Sequence, residues 1–208
     1  MTNQNAFAVA YSIRTIKKWR NLPNIYFVGK AGTGKSTCAN FLIWKYDYQI
    51  AKFAYPVYMI AEKYFSMQKK DRKLLQVIGT DAGRCMIDED IWVKRFQEDM
   101  LIVQKTAQLL RKPLPKLVMD DCRFINEHEI LKKIGFIGIY IDVPDEIRKE
   151  RLIQRDGTAQ EKTLNHISEQ MIDNFKNELI QLDGSGSLED TYLRLNGILK
   201  ELVEKQGE

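Results

Sequence analysis

Residues 29 to 36 read Gly29-Lys30-Ala31-Gly32-Thr33-Gly34-Lys35-Ser36, a complete G-x-x-x-x-G-K-[ST] signature. The apolar run Ile25-Tyr26-Phe27-Val28 precedes it, and a helical pattern from Lys35 to about Tyr46 follows. That strand, loop and helix are what a phosphate-binding loop requires. Its glycines let the backbone bend until successive N–H groups face the β- and γ-phosphates, Lys35 adds a point charge, and the Ser36 hydroxyl is a ligand for Mg²⁺. The expected nucleotide-contacting set runs through Gly29, Lys30, Ala31, Gly32, Thr33, Gly34, Lys35, Ser36 and Thr37. ATP with Mg²⁺ is the expected donor, and the phosphate acceptor is then the open question.

At 208 residues the chain has the length of one domain with a sizeable core. Its 32 basic and 28 acidic residues are spread along the sequence, so no nucleic-acid arm is expected and small anionic ligands are favoured. Cys38, Cys85 and Cys122 are odd in number and far apart, and His128 and His166 are the other soft ligands. Neither a disulfide framework nor a zinc site fits that spacing. No apolar run approaches the roughly 18 residues of a membrane span, and the N-terminus has no basic-then-apolar leader. The expected setting is the cytoplasm, with no membrane partner.

Apolar runs alternate with helical periodicities along the chain, the pattern of a parallel sheet covered by helices. Five strands are predicted, at Ile25 to Val28, Gln49 to Phe53, Lys116 to Asp120, Phe136 to Asp142 and Glu178 to Leu182. Between Asp90 and Leu110, Trp92, Phe96, Met100, Val103, Ala107 and Leu110 recur at helical spacing and predict one apolar face. Asp71 is the expected cap of a helix over Arg72 to Ile78, and Asn126 of one over Glu127 to Ile134 that stops at Gly135. Asp145 opens a helix ending near Gly157, and a last helix runs from Leu188 to about Val203. Residues 6 to 19 read as an extra amphipathic helix. Its face of Ala8, Ile13, Ile16 and Trp19 either covers a sheet flank or makes a subunit contact, which would give a homodimer.

Two further clusters carry chemistry. The segment Lys116-Leu117-Val118-Met119-Asp120-Asp121-Cys122-Arg123 ends an apolar strand in carboxylates, at the sheet edge where ligands bind in open α/β folds. Asp121 is the candidate to hold Mg²⁺ through water, together with Ser36. Arg123 offers a planar fork to an acceptor phosphate. The competing reading is that Asp120 or Asp121 only turns the chain and that Arg123 pairs with a neighbouring carboxylate. Arg148, Arg151 and Arg155 lie on one helix face and form a candidate clamp for the transferring phosphoryl group; a solvated face paired with Glu146 and Glu150 is the alternative. Polar residues 157 to 163 are the candidate lid.

These segments occur in one order with Leu75-Gln76-Val77-Ile78-Gly79-Thr80-Asp81-Ala82-Gly83-Arg84, Ile91-Trp92-Val93, Asp121-Cys122-Arg123-Phe124-Ile125-Asn126-Glu127, Arg151-Leu152-Ile153-Gln154-Arg155, His166-Ile167-Ser168-Glu169 and Gly186-Ser187-Leu188-Glu189-Asp190. Over about residues 24 to 203 the chain resembles the phage deoxynucleoside monophosphate kinases. The resemblance implies a P-loop fold with a five-stranded parallel sheet, similar to adenylate and dephospho-coenzyme A kinases, and the host cytoplasm as its setting. It implies one kinase domain, with residues 24–53 and 116–150 as core, 54–112 as a helical acceptor-binding region, 151–168 as a lid, and 178–205 as last strand and helix. The implied reaction moves the ATP γ-phosphate to a deoxynucleoside monophosphate. Lys35, Asp121, Arg123, Arg151 and Arg155 would carry catalysis, with Arg84 and Arg123 on the acceptor phosphate and Arg151 and Arg155 bridging the two nucleotides.

One departure concerns the acceptor. Where relatives often read F-A-D-P-L-K, this chain has Phe53-Ala54-Tyr55-Pro56-Val57-Tyr58. Tyr55 and Tyr58 either pack against the neighbouring helix, the first reading, or meet an acceptor base. His166 either serves the site or satisfies the turn that Ser168-Glu169 opens. Other functions remain in view: another small-molecule kinase, such as one for dephospho-coenzyme A, or a non-catalytic nucleotide-binding module or motor. A GTP switch is disfavoured, because N-K-x-D is absent and the one D-x-x-G lies late, at Asp183 to Gly186.

Overall fold

The structure, a computed structural model, describes residues 22–157 and 171–205. The expected helix over residues 6 to 19, the lid residues 158–168 and the His166-Ser168-Glu169 segment lie outside the described residues. Five short strands form one parallel sheet: β1 (Ile25–Val28), β2 (Gln49–Ala51), β3 (Leu117–Met119), β4 (Ile137–Asp142) and β5 (Ile180–Asp183), in the order β2-β3-β1-β4-β5. All five predicted strands are present, each within a few residues of its expected bounds. The order reverses beside β1, so the loop after β1 opens at a topological switch point, where open α/β sheets bind ligands.

Side-chain alternation along the strands divides the core. Ile25, Phe27, Val118, Ile139 and Ile141 pack with α1 (Lys35–Tyr46) and α7 (Leu188–Lys205). Tyr26, Val28, Leu117, Met119 and Tyr140 face the other way, toward α2 (Tyr55–Phe65), α4 (Ile91–Leu110) and α5 (Ile125–Lys133). Burial on both faces explains why β1 and β3 read as unbroken apolar runs. Helix α6 (Asp145–Asp156) follows β4 and ends at Gly157, whose φ of 78° suits the left-handed stop that glycine takes readily.

Three expectations change. Asp71 does cap α3 (Arg72–Gln76), its Oδ1 accepting from the Leu74 N–H at 3.0 Å, but the α-helix stops at Gln76. It continues as a π-helix over Val77–Ile87. Trp92 fits this wider coil: its indole N–H donates to the Gly79 carbonyl at 2.7 Å, and a Cβ on Gly83 would sit 2.6 Å from the same ring. Asn126 is not the cap of α5, which begins one residue earlier. The Glu127 carboxylate takes the Phe124 N–H instead, while the Asn126 amide donates to Asp90 at 2.7 Å. In α4 the apolar stripe is core only at its start. Trp92 and Phe96 are buried and Met100 packs beside them, but Leu110 is exposed. Twenty residues make a helix of about 30 Å, long enough for its last turns to run past the sheet.

Candidate active site

The phosphate loop joins β1 to α1 with Gly29, Gly32 and Gly34 at φ of 156°, 86° and 94°. Gly32 is required twice over, because a Cβ there would lie 2.7 Å from the Arg148 carbonyl oxygen. Around Gly34 a Cβ would meet nothing within 4 Å, so the mouth of the loop is open. Gly34 is also the N-cap of α1, has no side chain to satisfy the first amides, and is followed by a first turn without acidic residues. Such a helix start favours an anion. Lys35 is buried and folds over the loop, its Nζ donating to the carbonyls of Gly29 at 2.5 Å and Lys30 at 3.0 Å. Ser36 and Thr37 are exposed at the start of α1. Thr33 ties the loop to itself through the Lys30 carbonyl at 2.9 Å, and Lys30 Nζ lies 3.3 Å from Asp173.

The end of β3 carries two carboxylates with different surroundings. Asp120 Oδ1 lies 3.0 Å from Lys52 Nζ. Asp121 Oδ2 accepts from the Ala54 N–H at 2.9 Å, just before α2. In each, Oδ1 is buried with no hydrogen-bond partner of good geometry. Burial pushes the Asp121 carboxyl up to about 6, against the Ala54 N–H and Lys52 that favour its charge; neighbouring Asp120 adds to the rise. The unpartnered Asp121 Oδ1, the Asp120 carboxylate and the exposed Ser36 hydroxyl of α1 are hard oxygen donors of the kind Mg²⁺ takes, with water completing its shell. No group of three or more Asp, Glu, His or Cys among the described residues makes a closed metal cage.

Beyond β3 the chain is organised by Glu127. Its Oε2 accepts the backbone N–H of Arg123 at 2.7 Å and of Phe124 at 3.1 Å, and its Oε1 accepts from the Arg84 guanidinium. Arg84 also donates to the Glu89 carbonyl at 2.8 Å and lies over the Phe124 ring, 4.1 Å from its centroid. Both charged side chains are buried. Burial drives Glu127 up to about 7 even with Arg84 pulling the other way. Arg84 is thus buried between the π-helix and α5, while Arg123 is half-buried at the turn that Glu127 holds.

Arg148 and Arg151 of α6 go to different loops. Arg148 is buried, donates to the Ala31 carbonyl at 2.8 Å and pairs with Asp145 at 2.6 Å, so it fastens the phosphate loop to α6. Arg151 donates to the carbonyls of Gly184 at 2.9 Å and Gly186 at 3.3 Å, in the loop between β5 and α7. Arg155 is exposed on the last turn. Tyr55, the first residue of α2, is 61 % exposed, so the expectation that it packs against a neighbouring helix is corrected. Tyr58 is half-buried, with Lys70 Nζ 6.0 Å from its ring centroid. Residue type alone marks neither Lys52 nor the bridging role of Glu127. The signal for Lys52 is cross-strand register, since Ile50 pairs with Val118 and Lys52 therefore falls beside Asp120.

No model of a known protein family matches the chain. A protein of Acanthamoeba polyphaga mimivirus, described as "Putative deoxynucleotide monophosphate kinase", is 25% identical over 198 residues, covering 82% of this chain and 93% of the relative. Among solved structures, a gluconokinase from Sinorhizobium meliloti 1021 superposes with a TM-score of 0.56 at 15% identity, over 90% of this chain and 97% of its own. TT1252 from Thermus thermophilus gives 0.58 at 21% identity, over 88% and 99%. A shikimate kinase from Bacteroides thetaiotaomicron gives 0.52 at 15% identity, again over 88% and 99%. The fold is that of the P-loop kinases. Among the described residues no helix is long and apolar enough to cross a membrane.

Proposed function

We propose that this chain transfers the γ-phosphoryl group of ATP to a deoxynucleoside monophosphate, giving ADP and the deoxynucleoside diphosphate. The fold and the mimiviral relative support a small-molecule phosphotransferase, and the relative's description favours a nucleotide acceptor. The observation that carries the reading is the facing arrangement at the sheet's carboxyl edge. The phosphate loop opens after β1, and on the neighbouring strand β3 the carboxylates lead into an arginine turn that Glu127 fixes. One edge thus offers a donor site and a cationic acceptor site.

An acceptor phosphate oxygen is already ionised at neutral pH, so the protein's task is to align two polyanions and offset their repulsion. An acceptor oxygen forms the new bond to Pγ as the bond from Pγ to the β-bridging oxygen breaks, and ADP leaves with that electron pair. Lys35 exchanges the Gly29 and Lys30 carbonyls for the β- and γ-phosphates, beside the amides of α1. Ser36 and, through water, the carboxylates ending β3 would hold Mg²⁺, which would supply charge neutralisation and orientation. Arg123 grips the acceptor phosphate, and Arg84 shapes that site from within its wall through Glu127 and Phe124. Arg151 and Arg155 reach for the transferring group, and Tyr55 and Tyr58 meet the acceptor base. The test is a screen of purified protein with MgATP and each of dAMP, dGMP, dCMP, dTMP and dephospho-coenzyme A. A deoxynucleoside diphosphate is expected; phosphorylation of dephospho-coenzyme A alone would overturn the acceptor assignment.

A further inference from the structure

Strand alternation separates the two carboxylates that end β3. Val118 packs in the cluster that holds Cys38, Ala39 and Leu42 of α1, and Met119 in the opposite cluster with Phe53 and Val57. Carried one residue further, the alternation sets Asp120 on the face of α1 and the phosphate loop. Asp121 falls on the acceptor face, where it takes the Ala54 N–H. The register of β2 on β3 then brings Lys52 level with Asp120, and Lys52 Nζ stands 3.0 Å from Oδ1.

The two partners differ in their access to solvent. The Asp120 side chain is 6 % exposed and that of Lys52 40 %. A carboxylate this buried cannot remain charged at low cost without a cation beside it. Lys52 meets that need from a flexible stem that can swing away, and two residues later the chain enters Ala54 and Tyr55 at the mouth of the acceptor region. A dication held next to Asp120 and an ammonium 3.0 Å from the same oxygen repel each other, so one must yield when the other arrives.

We propose that Lys52 is a stand-in cation that neutralises Asp120 until Mg²⁺ and nucleotide occupy the phosphate loop, then leaves that carboxylate for the acceptor phosphate. The inference rests on the phosphate-transfer reading above. It makes Asp120 the carboxylate that serves the donor side and leaves Asp121 to order the start of α2. Displacing Lys52 as the donor loads would supply a cation to the acceptor site at the moment it is needed, favouring donor before acceptor.

The experiment measures ADP affinity calorimetrically across a series of free Mg²⁺ concentrations, for the full chain and for Lys52→Met and Lys52→Arg. With its competitor gone, Lys52→Met reaches half of its Mg²⁺-dependent tightening at a free Mg²⁺ concentration at least threefold lower than the unaltered protein. Lys52→Arg keeps a cation in place and stays within twofold of the unaltered protein. The acceptor KM of Lys52→Met rises at least tenfold. A midpoint that does not move in Lys52→Met, or that rises, overturns the inference, as does a lowered midpoint with an unchanged acceptor KM. If the unaltered protein itself binds ADP without any response to Mg²⁺, the phosphate-transfer reading falls and takes the inference with it.

Discussion

Arg84 and Glu127 form a buried ion pair that joins the π-helix to the start of α5. The other oxygen of the same carboxylate fixes the backbone N–H of Arg123. One glutamate therefore connects the π-helix to the arginine proposed to grip the acceptor phosphate. Glu127→Gln leaves the Arg84 charge buried without a counter-charge. It should raise the acceptor KM more than the ATP KM. Equal effects on both KM values would mean that the pair does no more than hold the fold together.

The two buried carboxyls of the site give stability a pH dependence of defined sign. Asp121 stands at about 6 against an ordinary 3.8, and Glu127 at about 7 against 4.5. Each folded value lies above the unfolded one, so each contribution is full below about pH 4 and is lost as pH rises through 6 to 7. The difference in unfolding free energy between the unaltered protein and Asp121→Asn/Glu127→Gln should fall between pH 4.5 and 7.5, by about 1 to 3 kcal/mol per group. A difference that rises over this range would reverse the assigned shifts.

The π-helix depends on a glycine contact. A Cβ at residue 83 would lie 2.6 Å from Trp92 Cζ2 and 2.8 Å from the Ile78 carbonyl oxygen. Gly83→Ala should therefore destabilise the protein by about 1 to 3 kcal/mol and blue-shift or broaden its tryptophan emission. Gly197, where a Cβ meets nothing within 4 Å, is the control: Gly197→Ala in α7 should be neutral or mildly stabilising.

Arg123 is the residue on which the acceptor assignment turns. Arg123→Ala should raise the acceptor KM and lower kcat, with a combined loss of about 2 to 4 kcal/mol in transition-state stabilisation, while ADP affinity stays within threefold. Loss of ADP binding would move Arg123 to the donor side.

The phosphate loop and its flanks were legible in the sequence because their requirements are local: an apolar run, glycines at fixed spacing, Lys35 and a helix. The positions of β1 and β3 were legible for a similar reason, since burial on both faces leaves an apolar run with sharp ends. Arg148 and Arg151 share a helix face, as their spacing predicts, but a guanidinium suits a backbone carbonyl as well as a phosphate. Only the fold could assign their partners, Ala31 and Gly184, which lie 117 and 33 residues away along the chain. Nothing in the spacing of residues 77–87 announces the π-helix, in which Gly83 admits the Trp92 ring and Gly79 leaves a carbonyl for its N–H. Lys52 was invisible for want of register, which three short residues of β2 do not announce. Asn126 was chosen as a cap by residue type, and Glu127, a residue later, reached back to do that work.

The most direct measurement is the stoichiometry of products from γ-labelled MgATP and a deoxynucleoside monophosphate, in the unaltered protein and in Lys35→Ala. The account predicts one deoxynucleoside diphosphate per ADP, with the label on its β-phosphate, and loss of nearly all turnover in Lys35→Ala. ADP accompanied by inorganic phosphate, with no labelled diphosphate from any acceptor, would contradict it.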